Sequence, residues 1–208
     1  MPTAVFPRPS GLYLVTTSGI TVPTGRRTQT WSGAIQTRSS MNVGRSWSET
    51  YQPLKAGSAD AENFISWLRW AWNTGTVFTV EHQMTPGSGV APNGTGTGGV
   101  TVSGGSQTGS SIVTTGWPSS TSNVARAGDL VSIAGVGYTQ EVTDDANSSG
   151  VVATLKLNPP VWTAPSNGAA VTTTSVSISA IIMELDLSKI RNAFYYDGIS
   201  VKFREVPS

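Results

Sequence analysis

Ser175-Val176-Ser177-Ile178-Ser179-Ala180-Ile181-Ile182-Met183-Glu184-Leu185-Asp186-Leu187 alternates like a half-buried strand, but its apolar parity changes midway. Val176, Ile178, Ala180 and Ile182 share one parity, and Ile181, Met183, Leu185 and Leu187 take the other. A one-residue change of phase turns every following side chain to the opposite face, so the stretch holds a bulge or passes from one core to another. We read it as the chain leaving an inserted domain and rejoining the first. The final run, Gly198 to Val206, puts Ile199, Val201 and Phe203 on one face and Ser200, Lys202 and Arg204 on the other, which completes the first domain's sheet. The expected division is therefore 1–86 plus 181–208 as one β-domain, with 87–180 inserted as a second.

The first domain opens with strand-like runs at Leu12 to Val15, Gln29 to Thr37 and Val43 to Tyr51. In the last, Val43, Trp47 and Tyr51 fall on one face, opposite Gly44, Ser46, Ser48 and Thr50. Ser58 to Asn73 reads as a helix: Ser58 can cap it, Asp60 and Glu62 sit in the first turn, where the dipole favours acids, and Gly75 can end it. Ala61, Phe64, Ile65, Leu68 and Trp72 recur at helical spacing as its core stripe, with Trp67 and Trp70 beside them. Three tryptophans in six residues carry more aromatic surface than one small sheet covers, so part of that surface is expected to meet another subunit. A broad sheet burying all three is the alternative. Thr76 to Gln83 returns as a strand.

Composition then changes. Pro86 to Gly116 is dominated by Gly, Ser, Thr and Asn and reads as a flexible connector around short strands at Val100 to Ser103 and Ser111 to Thr115. Asp129 to Ile133, Tyr138 to Thr143, Val151 to Leu157 and Ala169 to Thr174 follow, separated by Gly, Asp-Asp, Asn and Pro-Pro turn signals. About five to six short strands is the count of a small OB-like barrel. The fold expected is mainly β: a β-sandwich-like domain with one α-helix, carrying an inserted small β-barrel.

The 208 residues include no cysteine and one histidine, which excludes disulfide frameworks, zinc fingers and cysteine nucleophiles. Charged residues are 12% of the chain, with a net charge of +1, so no globally basic nucleic-acid domain is present. Residues 1–55 hold Arg8, Arg26, Arg27, Arg38, Arg45 and Lys55 against Glu49 alone, a bias that suits DNA or an acidic partner but reads more simply as a solvated face. Met1 to Gly11, with three prolines and no apolar run, cannot serve as a secretory signal, and no stretch is apolar enough for a membrane helix. The expectation is synthesis in a cytoplasm.

Candidate chemistry is sparse. Gly94 to Gly99 matches G-x-G-x-x-G but precedes a strand-like Val100-Thr101-Val102, not a phosphate-binding helix. Asp145 to Gly150 copies half a calcium loop, yet Lys156 stands where a bidentate Glu is required. Asp144 and Asp145, adjacent in a turn, are expected to point apart. His82 is the one available imidazole base, and no G-x-S-x-G elbow accompanies it. No enzyme, cofactor or metal site is expected. Trp117, Tyr138 and Trp162 all fall in the inserted module and are candidates for stacking on a glycan, against core packing as the simpler role.

The strand-helix-strand run Val43 to Gln83, the insertion from Ala127-Gly128-Asp129-Leu130-Val131-Ser132-Ile133 through Leu157-Asn158-Pro159-Pro160-Val161, and the ending Ile199-Ser200-Val201-Lys202-Phe203 together resemble the distal tail protein of long-tailed bacteriophages. The resemblance spans nearly the whole chain as an order of features. It implies a virion structural protein: a ring, hexameric in the family, at the far end of the tail tube, with first domains side by side around a lumen and barrels outward. Tail tube, hub and tape-measure proteins would be its partners, and DNA only passing cargo. A heterologous contact closing into a ring needs an apolar patch, for which Trp67 and Trp70, with Trp47 and Arg69, are the candidate residues. A glycan-binding β-domain, another tail subunit such as tube or hub, and a hydrolase built on His82 are the competing expectations.

Overall fold

The computed structural model describes residues 4–7, 14–17, 26–29, 35–38, 45–81, 98–174, 176–187, 195–196 and 198–206. In chain order these form β1 (Ala4–Val5), β2 (Leu14–Thr17), β3 (Arg26–Gln29), β4 (Ile35–Arg38), β5 (Ser46–Tyr51), β6 (Leu54–Lys55), α1 (Ala59–Thr74) and β7 (Phe78–Glu81). Then come β8 (Thr101–Val102), β9 (Gly109–Thr115), β10 (Leu130–Ile133), β11 (Thr139–Val142), β12 (Val152–Val161), β13 (Val171–Thr172), β14 (Ser177–Asp186), β15 (Tyr195–Tyr196) and β16 (Ser200–Glu205). The described residues are thus mainly β with one α-helix. They divide into two compact units, one from Met1–Val80 with Ser179–Pro207 and one from Glu81–Ile178.

In the first unit a six-stranded sheet runs β1-β7-β14-β16-β5-β2, and α1 covers one face of it. Strand alternation selects that face. Trp47 and Tyr51 of β5, Val201 and Phe203 of β16 and Phe78 and Val80 of β7 are buried, while Ser48, Lys202 and Thr79 of the opposite parity are partly exposed. Sandwich-like packing was expected here; the layer that covers the inner face is the helix. Phe6, just after β1, enters the same core and meets Phe64, Trp67, Phe78 and Phe203 with ring centroids 5.7, 5.3, 5.9 and 5.5 Å away. Trp47 stacks on Phe203 at 5.3 Å.

One polar cluster shares this core. Glu49, between Trp47 and Tyr51 on the inner face of β5, accepts from Trp47 Nε1 at 3.2 Å and from the Tyr51 hydroxyl at 2.5 Å. Arg45 is fully buried as well and is tied to Glu205 of β16, its carbonyl taking the Glu205 N–H at 2.7 Å and its own N–H donating to Glu205 Oε2 at 3.4 Å. Arg45 therefore does not belong to a solvated basic face. A charge buried this deeply is costly to desolvate, which makes Arg45 part of the polar cluster inside this core and not of the surface.

The change of phase in β14 is a bulge. Ile182 pairs with Phe203 and Glu184 with Lys202, which leaves Met183 as the extra residue, 43% exposed. After it, Leu185 stands opposite the buried Val201, so the bulge restores apolar contact to the inner face. Two segments differ from their sequence reading. Gln29 to Thr37 is not one strand but parts of β3 and β4, which pair antiparallel from Arg26 with Arg38 to Gln29 with Ile35. The short antiparallel pair of β15 with β6 carried no periodicity long enough to see.

The second unit is a nearly closed six-stranded barrel in the order β13-β10-β11-β12-β9-β8. Its seam is backbone: Thr101 bridges Ala170, Val102 N donates to Ala169 O at 2.9 Å, and Val171 N donates to Val100 O at 2.8 Å. Val131, Ile133, Val142, Ala153, Leu155, Leu157 and Val171 point inward as the alternation required. Pro159-Pro160, read as a turn signal, lies inside β12. The pairing of β12 with β9 loses register between Lys156 and Val161, so both prolines occupy a stretch where that ladder makes no demand for an N–H.

Two substitutions test this account. Phe6→Ala should lower the unfolding free energy by about 3–5 kcal/mol, as for a buried Phe elsewhere, in urea titration. Gly116 has φ 98°, and a Cβ there would lie 2.5 Å from the Gly99 carbonyl oxygen, against backbone that cannot step aside. Gly116→Ala should therefore destabilise the barrel by more than the ~1–3 kcal/mol of an unfavourable φ alone.

Candidate functional site

Helix α1 is positioned at both ends by its own sequence. Ser58 Oγ accepts from Ala61 N at 3.3 Å, Asp60 and Glu62 occupy the first turn, and Gly75, at φ 60°, turns the chain out while Thr76 N returns to Ala71 O at 3.2 Å. Ala61, Phe64, Ile65, Leu68 and Ala71 face the sheet. Trp72, assigned to that stripe from spacing, is only partly buried; Ala71 is the fully buried residue of that turn.

The remaining tryptophans of α1 divide by role. Trp67 wedges its ring edge-on against Phe6 at 5.3 Å and Phe78 at 5.1 Å, leaving part of itself outside. Trp70 lies 6.2 Å from Trp67 and is 47% exposed. Its neighbours on the helix surface, Asn63, Ser66 and Asn73, are exposed and polar. The arrangement is one aromatic ring, backed by a second and rimmed by small polar groups, which is the anatomy of a contact anchor. Arg69 is exposed on the same helix. Trp47 is not part of this surface: at 1% exposure it is held inside by Phe203 and Glu49 and has nothing to offer a neighbouring subunit.

Near the helix N-terminus the hydroxyl of Tyr196 donates to Glu62 Oε1, which also accepts from Gly57 N at 3.3 Å. The bond to Glu62, then desolvation and the Glu62 charge, raise the Tyr196 pKa above its ordinary value, and the Arg69 charge pulls the other way. The phenol is therefore neutral throughout the physiological range.

In the barrel, Trp117 is 2% exposed and part of the core, with Nε1 donating to Thr114 Oγ1 at 2.8 Å. It cannot stack on a glycan at the surface. Tyr138 and Trp162 are brought together instead, with ring centroids 5.2 Å apart and planes at 42°. Tyr138 donates its hydroxyl proton to Pro160 O at 2.8 Å and accepts from Trp162 N at 3.1 Å, so both rings are held by backbone and both are partly exposed.

The side-chain oxygens of the half calcium loop serve the fold. Asp145 Oδ1 accepts from Ala127 N at 3.1 Å, and Asn147 Oδ1 from Asn123 N at 2.8 Å. Asp144 turns to Lys156 at 2.7 Å, whose hydrogen bond and then whose charge hold its carboxyl below the ordinary value. Among the described residues no group of three or more His, Asp and Glu side chains is placed to hold a metal ion. No described helix is long and apolar enough to cross a membrane. His82 and the Gly94 to Thr97 part of the glycine motif lie outside the described residues. No protein-family model matches the chain, and no curated protein matches it either.

Two contrasts follow. Trp67→Ala should lower stability by about 1–3 kcal/mol, since part of the ring is in the core, whereas Trp70→Ala should leave the melting temperature nearly unchanged. For Asp144, a depressed folded pKa adds stability above the unfolded value that is lost as pH falls through the folded one. Because solvent screens this exposed pair, Lys156→Gln should not move the melting midpoint at pH 7.

Proposed function

We propose that this protein is a structural, non-catalytic subunit of the tail tip of a long-tailed bacteriophage, of the distal-tail-protein kind. It forms a ring of identical subunits, six by the family pattern, that joins the tail tube to the distal hub or receptor-binding apparatus. The observation that carries this reading is the Trp67–Trp70 surface of α1, an exposed aromatic anchor on an otherwise polar helix face. A head-to-tail contact of this type closes a ring when the rotation between copies allows it. Low charge density adds support, because many contacts per subunit must be desolvated. The order of strand, helix, inserted barrel and final strands is the family's order. In this reading the virion is the protein's place of work, tube, hub and tape-measure proteins are its neighbours, DNA passes through without being bound, and no cofactor is called for.

A second reading rests on the Tyr138–Trp162 pair, whose half-exposed rings suit stacking on a sugar. The two readings are compatible if the barrels reach the host surface. A glycan array probed with the whole chain separates them: saturable binding that Trp162→Ala removes supports a carbohydrate contact.

Light scattering of the purified protein, followed by negative-stain imaging, tests the ring. Hexameric mass or ring-shaped particles are expected, and Trp70→Ala should shift them towards monomer while its circular dichroism stays that of the wild type. A protein that stays monomeric at all concentrations and also fails to add to purified tail tubes would overturn the proposal.

A further inference from the structure

Gln140 sits on β11 with the parity of Tyr138 and Val142, both of which pack on the barrel core. Its register partner on β10 is Val131, another core residue. On the other side, Glu141 pairs with Asn158 of β12, which places the buried Pro159 opposite Gln140. The side chain is fully buried among apolar groups, and among the described residues neither its Nε2 nor its Oε1 has a hydrogen-bond partner.

Every other polar side chain buried in this barrel for which a bond can be traced is used. Thr114 Oγ1 donates to Ala153 O at 2.9 Å and accepts from Trp117 Nε1, Asp129 Oδ2 accepts from Arg126 N at 2.8 Å, and Ser148 Oγ donates to Pro118 O at 2.6 Å. An amide has two donors and an acceptor with two lone pairs. Burying it dry forfeits its hydration with no return, and native interiors almost never do so. The group that answers one donor and one acceptor side by side in an apolar interior is a hydroxylic molecule, and the smallest is water. Folded domains hold roughly one buried water per ~27 residues, usually on polar groups that lack a protein partner.

We infer that the Gln140 amide binds an ordered internal water inside the barrel, between β10 and β12, the water donating to Oε1 and accepting from Nε2. This makes the barrel interior a specific polar site and not a uniformly apolar one, and it fixes β11 in register: a one-residue slip would carry the amide to the outer face and strand the water.

The experiment is water-resolved nuclear Overhauser spectroscopy on the isotope-labelled whole chain. Long-lived water cross-peaks are expected at the Gln140 side-chain NH2 and at the methyls of Val131 and Val142. In Gln140→Leu the methyl cross-peaks should vanish, with the melting temperature within a few degrees of the wild type. Absence of any long-lived water signal at these groups in the wild type would overturn the inference. A Gln140→Leu protein melting many degrees higher would do the same, because that gain is the signature of an amide buried dry. If the leucine variant does not fold, the wild-type spectrum decides alone.

Discussion

The first unit depends on one ring. Phe6 follows a strand of only two residues, yet its side chain touches aromatic groups from the helix, from β7 and from β16 at once. Ring contacts of this kind, edge-to-face on Phe64 and Phe203 and tilted on Phe78, add about 0.5–1.5 kcal/mol each beyond the area they bury. What they do mechanically is more important than their sum. A helix laid on a sheet can slide, and a ring that meets Phe64 and Trp67 on one side and Phe78 and Phe203 on the other fixes the helix against both strands. The placement of Trp70 on the outer surface is a consequence of that fixing, because Trp67 must turn inward to meet Phe6 and carries its neighbour's position with it.

Much of this was legible beforehand, and for identifiable reasons. The helix was readable because Ser58, Asp60, Glu62 and Gly75 carry local capping chemistry that needs no tertiary partner. The break in β14 was readable because strand periodicity is two, so one added residue shows as a parity change, but parity alone did not tell the bulge at Met183 from the passage between two cores that we read there. The barrel strands were readable from clean alternation, above all Ala153, Leu155 and Leu157. Phe6 was not, since a two-residue strand among prolines has no period. Glu49 and Arg45 were not, since a charged residue on an inner face is outvoted by its type until its partners are known.

The same limit governed the candidate sites. Spacing placed Trp67 and Trp70 beside the helix stripe, where the structure has them, but could not divide a wedge from an exposed anchor. It grouped Trp117 with Tyr138 and Trp162 by domain alone, whereas the first is a core residue and the other two are neighbours through a backbone carbonyl 22 residues from the tyrosine. Trp47 illustrates why. Its alternation announced a buried face correctly, and burial by its own sheet is what removes it from any subunit contact. Gln140 left no mark in the sequence, because a single polar residue in an alternating strand is read as one outward position too many.

The seam of the barrel has a consequence for how the protein can go wrong. Closing β8 onto Ala169 to Val171 gives the backbone groups on that edge partners within the same unit, so the barrel offers little for a foreign strand to extend. The sheet of the other unit ends, among the described residues, in β1 and β2, whose outer sides have no neighbouring strand in it. Crowding many barrels together therefore carries little hazard of runaway growth by strand addition, whether ordered polymer or amyloid.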